Sequence, residues 1–149
     1  KIMKKTQILL IFLLISNLCY SQYYTGQRVF SNKFPTEIKD YNQDTYLMID
    51  NTCNNCNDII VAIEDVYYDR VIQHAYINSG DSYKFKSIPV GTYVCKYMWT
   101  DVLGKRRYEK DNKTMTYKAR EYGGYVITLE ETTYGNLSQS SISENEFFD

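Results

Sequence analysis

The stretch Asp81-Ser82-Tyr83-Lys84-Phe85-Lys86-Ser87-Ile88-Pro89-Val90-Gly91-Thr92-Tyr93-Val94-Cys95-Lys96-Tyr97-Met98-Trp99 alternates with a period of two on both sides of a break. A β-strand places alternate side chains on opposite faces, so this pattern predicts two strands and a turn. Tyr83 and Phe85 share a face of the first strand. Pro89 ends it, having no N–H for a ladder, and Gly91 supplies the backbone freedom of a tight connection. In the second strand Tyr93, Cys95, Tyr97 and Trp99 point one way, and Val94, Lys96 and Met98 point the other. A lysine is rarely buried, so the aromatic side is expected to face the core and Lys96 to face solvent.

The neighbouring stretches extend the pattern. Tyr46-Leu47-Met48-Ile49, Ile59-Ile60-Val61-Ala62-Ile63 and Val71 to Ile77 follow one another at roughly ten-residue spacing, as strands of a sandwich do. Arg106 to Glu109, Thr114 to Lys118 and Tyr125 to Glu130 read as further strands, the last entered through Gly123-Gly124. Beyond the first 21 residues no long i, i+3, i+4 apolar stripe marks a helix. The chain contains 16 tyrosines, which strands favour. The expected fold is all-β: a single antiparallel Greek-key β-sandwich of about seven strands, prealbumin-like or immunoglobulin-like, spanning residues 45–134. Residues 22–44 read as an extended arm that adds an edge strand, and residues 135–149 as a polar tail ending in the apolar rings of Phe147 and Phe148.

The turn Ile88-Pro89-Val90-Gly91-Thr92-Tyr93 resembles that of prealbumin-like, carboxypeptidase-regulatory-type β-sandwiches, in which an apolar residue and Pro are followed by Gly-x-Tyr and a long strand. A longer similarity, to domains of secreted bacterial proteins, takes in Ile127-Thr128-Leu129, Gly135-Asn136 and Phe147. The resemblance implies a fold and does not select a function, because such sandwiches serve many roles.

The first residues suggest export. Lys1, Lys4 and Lys5 precede the apolar run Ile8 to Ile15, which is short for a membrane span, and Cys19-Tyr20-Ser21 before Gln22 offers small residues at the positions a signal peptidase reads. Residues 1–21 are therefore expected to be a cleaved signal peptide, with a secreted or periplasmic product and no stable transmembrane anchor. Lipid attachment at Cys19 is the less favoured reading, since bulky Leu18 stands where a small residue belongs. The remaining 128 residues suit one domain and carry 14 basic and 18 acidic side chains, a formal charge of −4. That balance argues against a nucleic-acid partner, and the short cluster Lys105-Arg106-Arg107 does not reverse it.

Cys53 and Cys56, a C-x-x-C in an exported chain, are expected to form a local disulfide. Entropy alone favours a longer bridge, about 4 kcal/mol for Cys53 to Cys95 against about 2 kcal/mol for the short loop. A core-facing Cys95 has no way to reach a loop cysteine, so it is expected to stay a buried thiol. Zinc with His74 and Cys95, and redox chemistry at the pair, are weaker alternatives. Asp50, Thr52, Asn54, Asn57 and Asp58 invite calcium, but Asn55 and Val61 occupy the positions where an EF-hand needs Gly and Glu. No cofactor and no metal are expected.

His74, the sole histidine, is expected to pack on a strand face with Ile72 and Tyr76. Glu64, Asp65, Asp69, Glu130 and Glu131 are available carboxylates, yet no pair stands out and no nucleophile motif is present. The chain is therefore expected not to be an enzyme, with a small secreted hydrolase as an alternative. Exposed tyrosines offer the better lead, because they give large contact area for little rotamer entropy. Tyr67, Tyr68, Tyr122 and Tyr125 are the candidates. The expected function is a non-enzymatic module binding a protein or glycan partner in the envelope or outside the cell. An accessory subunit of an envelope assembly, docked through the arm and tail, is a further alternative.

Overall fold

The computed structural model describes residues 23–53, 55–129 and 139–149. The expected signal peptide with Cys19, the loop residue Asn54, Glu130 and Glu131, and Gly135-Asn136 of the tail lie outside the described residues. The strands are β1 (Thr45–Asp50), β2 (Ile59–Asp65), β3 (Arg70–Ile77), β4 (Ser82–Lys86), β5 (Gly91–Thr100), β6 (Arg106–Asp111), β7 (Met115–Tyr117), β8 (Gly123–Thr128) and β9 (Gln139–Ser141). A single short helix, α1 (Glu144–Phe148), follows among the described residues.

Two sheets pack together as an all-β sandwich. The smaller has the order β4-β1-β8 and the larger β3-β2-β5-β6-β9, with β7 pairing the start of β5. Their facing sides bury Leu47, Ile49, Val61, Ile63, Phe85, Tyr93, Cys95 and Tyr97, with Tyr83 and Trp99 packed against them. The aromatic side of the 83–99 stretch therefore faces the core, but the two strands do not form a hairpin: β4 pairs β1 and β5 pairs β2, so the connection through Pro89 and Gly91 crosses from one sheet to the other. There are more strands than the seven expected, and one pair departs from the antiparallel pattern: β1 and β8 run parallel, with Leu47 opposite Tyr125. Gly124 permits that pairing, because a Cβ there would collide with the Tyr46 carbonyl oxygen.

The larger sheet is covered on both faces, which alternation in β5 does not announce. Its outer face carries a second cluster of Phe34, Ile60, Ala62, Val71, Met98 and Phe147. The N-terminal arm supplies Phe34. It binds the edge of β3 through Gly26 N–H to Tyr76 O and Tyr76 N–H to Gln27 O, both near 2.8–2.9 Å, and through Ile38 N–H to Ile72 O. It forms no strand, contrary to expectation. Instead it crosses the sheet as an irregular strap, pinned by Thr25, whose hydroxyl accepts from the Asn78 backbone and donates to Asp81. The tail supplies Phe147, which is fully buried. Residues 139–149 are thus an integral part of the fold: β9 pairs β6, and α1 is capped by Ser143, whose hydroxyl accepts from Glu146 N–H.

This second covering corrects the expectation for Lys96. It is 1% exposed, paired with buried Glu64, and donates to the Glu146 carbonyl of α1 at 2.5 Å. Lys110 reaches the other Glu64 oxygen at 2.8 Å. A buried lysine is tolerable when its charge is paired and its protons are taken up, and both conditions hold here.

Candidate functional site

Strands β2, β4 and β7 end, and β1, β3, β5 and β8 begin, at one end of the sandwich, so the loops between them cluster there. This end displays tyrosines. At the β2–β3 turn Asp65, the last residue of β2, accepts from the backbone N–H groups of Tyr67 and Tyr68 at 2.9 and 3.2 Å, a side-chain-closed turn that leaves both rings outward. Asp69 completes it in the left-handed region, at φ 49°. Tyr67 is 84% exposed and Tyr68 63%, their rings edge to face at 4.9 Å. Arg70 lies 5.0 Å over the Tyr68 ring and restricts it.

Tyr122 is 83% exposed in the β7–β8 loop. That loop is closed by Lys118 N–H to the Glu121 carboxylate at 2.7 Å and tied to the loop before β1 by Gly123 N–H to Asp44 O. Tyr41, in the turn before β1, is equally open, and Val90 stands half exposed in the β4–β5 turn. Tyr41 and Val90 were not singled out from sequence, since nothing local separates them from ordinary loop residues.

Tyr125 has a different role. Its hydroxyl accepts from Thr116 N–H at 3.2 Å and donates to Thr116 O at 3.0 Å, and its ring meets Tyr117 at 5.2 Å. It latches the small sheet to β7 beneath the displayed rings. Tyr117 in turn touches Tyr93, whose hydroxyl burial pushes up to about 12.

The disulfide lies at the opposite end. Cys53 and Cys56 are bonded, with Cα atoms 5.4 Å apart, while Cys95 is a free, buried thiol whose pKa burial raises. The oxygen-rich loop around them is spent on itself. Asp50 accepts from Thr52, Asn51 donates to Asn57 O and Asn78 O, and Asp58 accepts from Ser79 N–H and the Tyr76 hydroxyl. Among the described residues no three His, Cys, Asp or Glu side chains gather as a metal site.

His74 is 2% exposed but does not share a face with Ile72. A bulge in β3 opposite Ile63/Glu64 turns Ile72 to the inner core and His74 to the outer face. There its ring lies 4.6 Å from Phe34, and Nε2 accepts from Phe30 N–H at 3.4 Å, a long bond. Burial, helped by the Arg28 charge, lowers its pKa to about 4, with Glu37 opposing. Its surroundings are those of a packing residue.

A cleft of about 380 Å³ opens on the outer face between the arm and the sheet. Val29, Phe30 and Tyr23 of the arm form one wall, and Ile60, Tyr76 and Met98 of the sheet form the other. Asn57, Asp58, Thr100 and Arg106 stand at its polar end. Sequence reading missed it because the arm builds one wall. No family model, no curated protein and no solved structure matches this chain.

Proposed function

We propose that this chain is an exported, non-catalytic binding module that grips a protein partner through the tyrosine-bearing loop end of its sandwich. One observation carries the reading: Tyr41, the adjacent Tyr67 and Tyr68, and Tyr122 come from three separate loops, stand at the same end and are exposed. Large aromatic side chains with few rotatable bonds, mounted on a rigid β framework, bind at low entropic cost. Solvent-exposed rings are not held out by chance here, since Asp65 and Glu121 close the turns that present them. A binding rather than catalytic role is supported by His74, the sole histidine, being committed to packing, and by Glu64 being committed to two lysines. Among the described residues no helix is long and apolar enough to cross a membrane.

A glycan partner is the competing ligand, and one experiment separates the two. The intact protein and a Tyr67→Ala/Tyr68→Ala/Tyr122→Ala variant are compared on a glycan array and in a pull-down from an envelope extract. The expected result is a protein held by the wild type and weakened at least tenfold by the variant, as loss of aromatic hot spots produces. A partner held equally by both proteins would sink the proposal, and tyrosine-dependent capture of sugars alone would replace the protein with a glycan.

A further inference from the structure

The outer-face cleft is independent of the tyrosine end, opening toward the opposite end of the sandwich. Its two charged lining groups are not equivalent. Asp58 has both carboxylate oxygens occupied, one by the Tyr76 hydroxyl at 2.5 Å and one by Ser79 N–H at 2.8 Å. Burial and this bond to Asp58 both raise the Tyr76 pKa, so the hydroxyl stays a donor committed to Asp58. Arg106 is held far less firmly: its partner Glu144 is 3.8 Å away, and both side chains are more than half exposed. The cleft therefore offers an incoming molecule an open groove, apolar along the arm and sheet walls and polar at one end, where a guanidinium only loosely held by Glu144 stands.

We propose that this cleft is a second binding site, for an apolar carboxylate whose hydrocarbon body lies between Phe30, Ile60 and Met98 and whose charge is met by Arg106. The volume lies within the range of small-ligand pockets, and the polar groups of a mixed lining gather at one end, beyond the apolar side chains of Phe30, Ile60 and Met98. A guanidinium presents two parallel N–H donors to a carboxylate, a match that a sugar hydroxyl or an alcohol lacks. The carboxylate displaces the loose Glu144 contact and leaves the Asp58 cluster intact. Two sources share this chemistry, a free aliphatic acid and the C-terminal residue of a peptide chain.

The test titrates the intact protein with four probes: octanoate, 1-octanol, a short peptide ending in a free Leu carboxylate, and the same peptide as its C-terminal amide. Amide resonances of Ile60, Tyr76 and Met98 report occupancy. At least one acid is expected to shift them, its neutral counterpart binding about tenfold more weakly, as loss of a charge-assisted hydrogen bond produces. Arg106→Gln should remove that preference while leaving the neutral probe and the thermal midpoint unchanged. Octanoate alone would assign a free acid, and the peptide acid alone a chain end. Equal binding of acid and neutral probes, an acid preference that survives Arg106→Gln, shifts located elsewhere, or no shift with any probe would each overturn the proposal. Because the tyrosine variant does not touch the cleft, it should bind the probes like the wild type, and the two sites can fail separately.

Discussion

Lys96 shows how a single side chain can be right for a fold and wrong for a rule. Its stem passes through the second apolar cluster, and its ammonium is enclosed by Glu64 and the end of α1. Replacing it with Met keeps most of the volume but leaves Glu64 buried with Lys110 alone. Lys96→Met is expected to destabilise by about 3 kcal/mol, read as a lower urea midpoint with an unchanged slope. Adding Glu64→Leu should recover most of that loss, because a buried pair exchanged for apolar groups is close to neutral whereas a buried orphan charge is not. If Lys96→Met alone left the midpoint in place, Lys110 would be shown sufficient to satisfy Glu64.

The elements differ in how legible they were. The inner face of β5 followed from its alternation, since Tyr93, Cys95 and Tyr97 could only be sheltered together, and the turn residues Pro89 and Gly91 marked its start. The outer face was hidden because its cover comes from the arm and the tail, polar segments that contribute scattered single rings such as Phe34 and Phe147 rather than a periodic stripe. The β3 bulge was equally invisible: periodicity assumes an unbroken register, and one extra residue moved His74 away from Ile72. The parallel β1–β8 pair depends on long-range order, which no local pattern encodes, although Gly123-Gly124 marked the entry to β8. Of the candidate site, the turn tyrosines were readable as exposed loop residues, but their gathering at one end and the two-walled cleft required the topology. The tail's contribution can be measured. Phe147→Ala should cost about 3–4 kcal/mol, the range for a buried phenyl ring. It should also speed amide exchange at Lys110, whose N–H faces Ser140 of β9. Unchanged exchange there would mean that β9 holds without α1.

At the scale of the molecule, a titratable side chain sits at one of the two interfaces between three layers. The arm, the larger sheet and the small sheet stack in that order, and His74 sits between the first two, accepting from the arm at Phe30 and packing on Phe34. Its pKa is lowered from 6.5 to about 4, first by burial and then by Arg28, with Glu37 acting in the opposite sense. Between those values the unfolded chain binds a proton that the native chain refuses, so stability rises with pH across that window and falls on acidification. Across that window roughly 3 kcal/mol is lost from about pH 6.5 down to about pH 4, with no further loss from this group below it. Protonation also removes Nε2 as an acceptor for Phe30 N–H, so the arm should loosen before the sandwich opens. Chemical denaturation from pH 7 to pH 4 should show this decline, and exchange at Gln27 and Phe30 should rise ahead of exchange at Val61. His74→Phe keeps a ring against Phe34, forfeits the weak bond at a cost of about 1 kcal/mol, and has no proton to gain. Its stability should be lower at pH 7 yet flatter toward pH 4, the two curves crossing in between. A variant as acid-sensitive as the wild type would move the origin of the slope from His74 to the carboxylates.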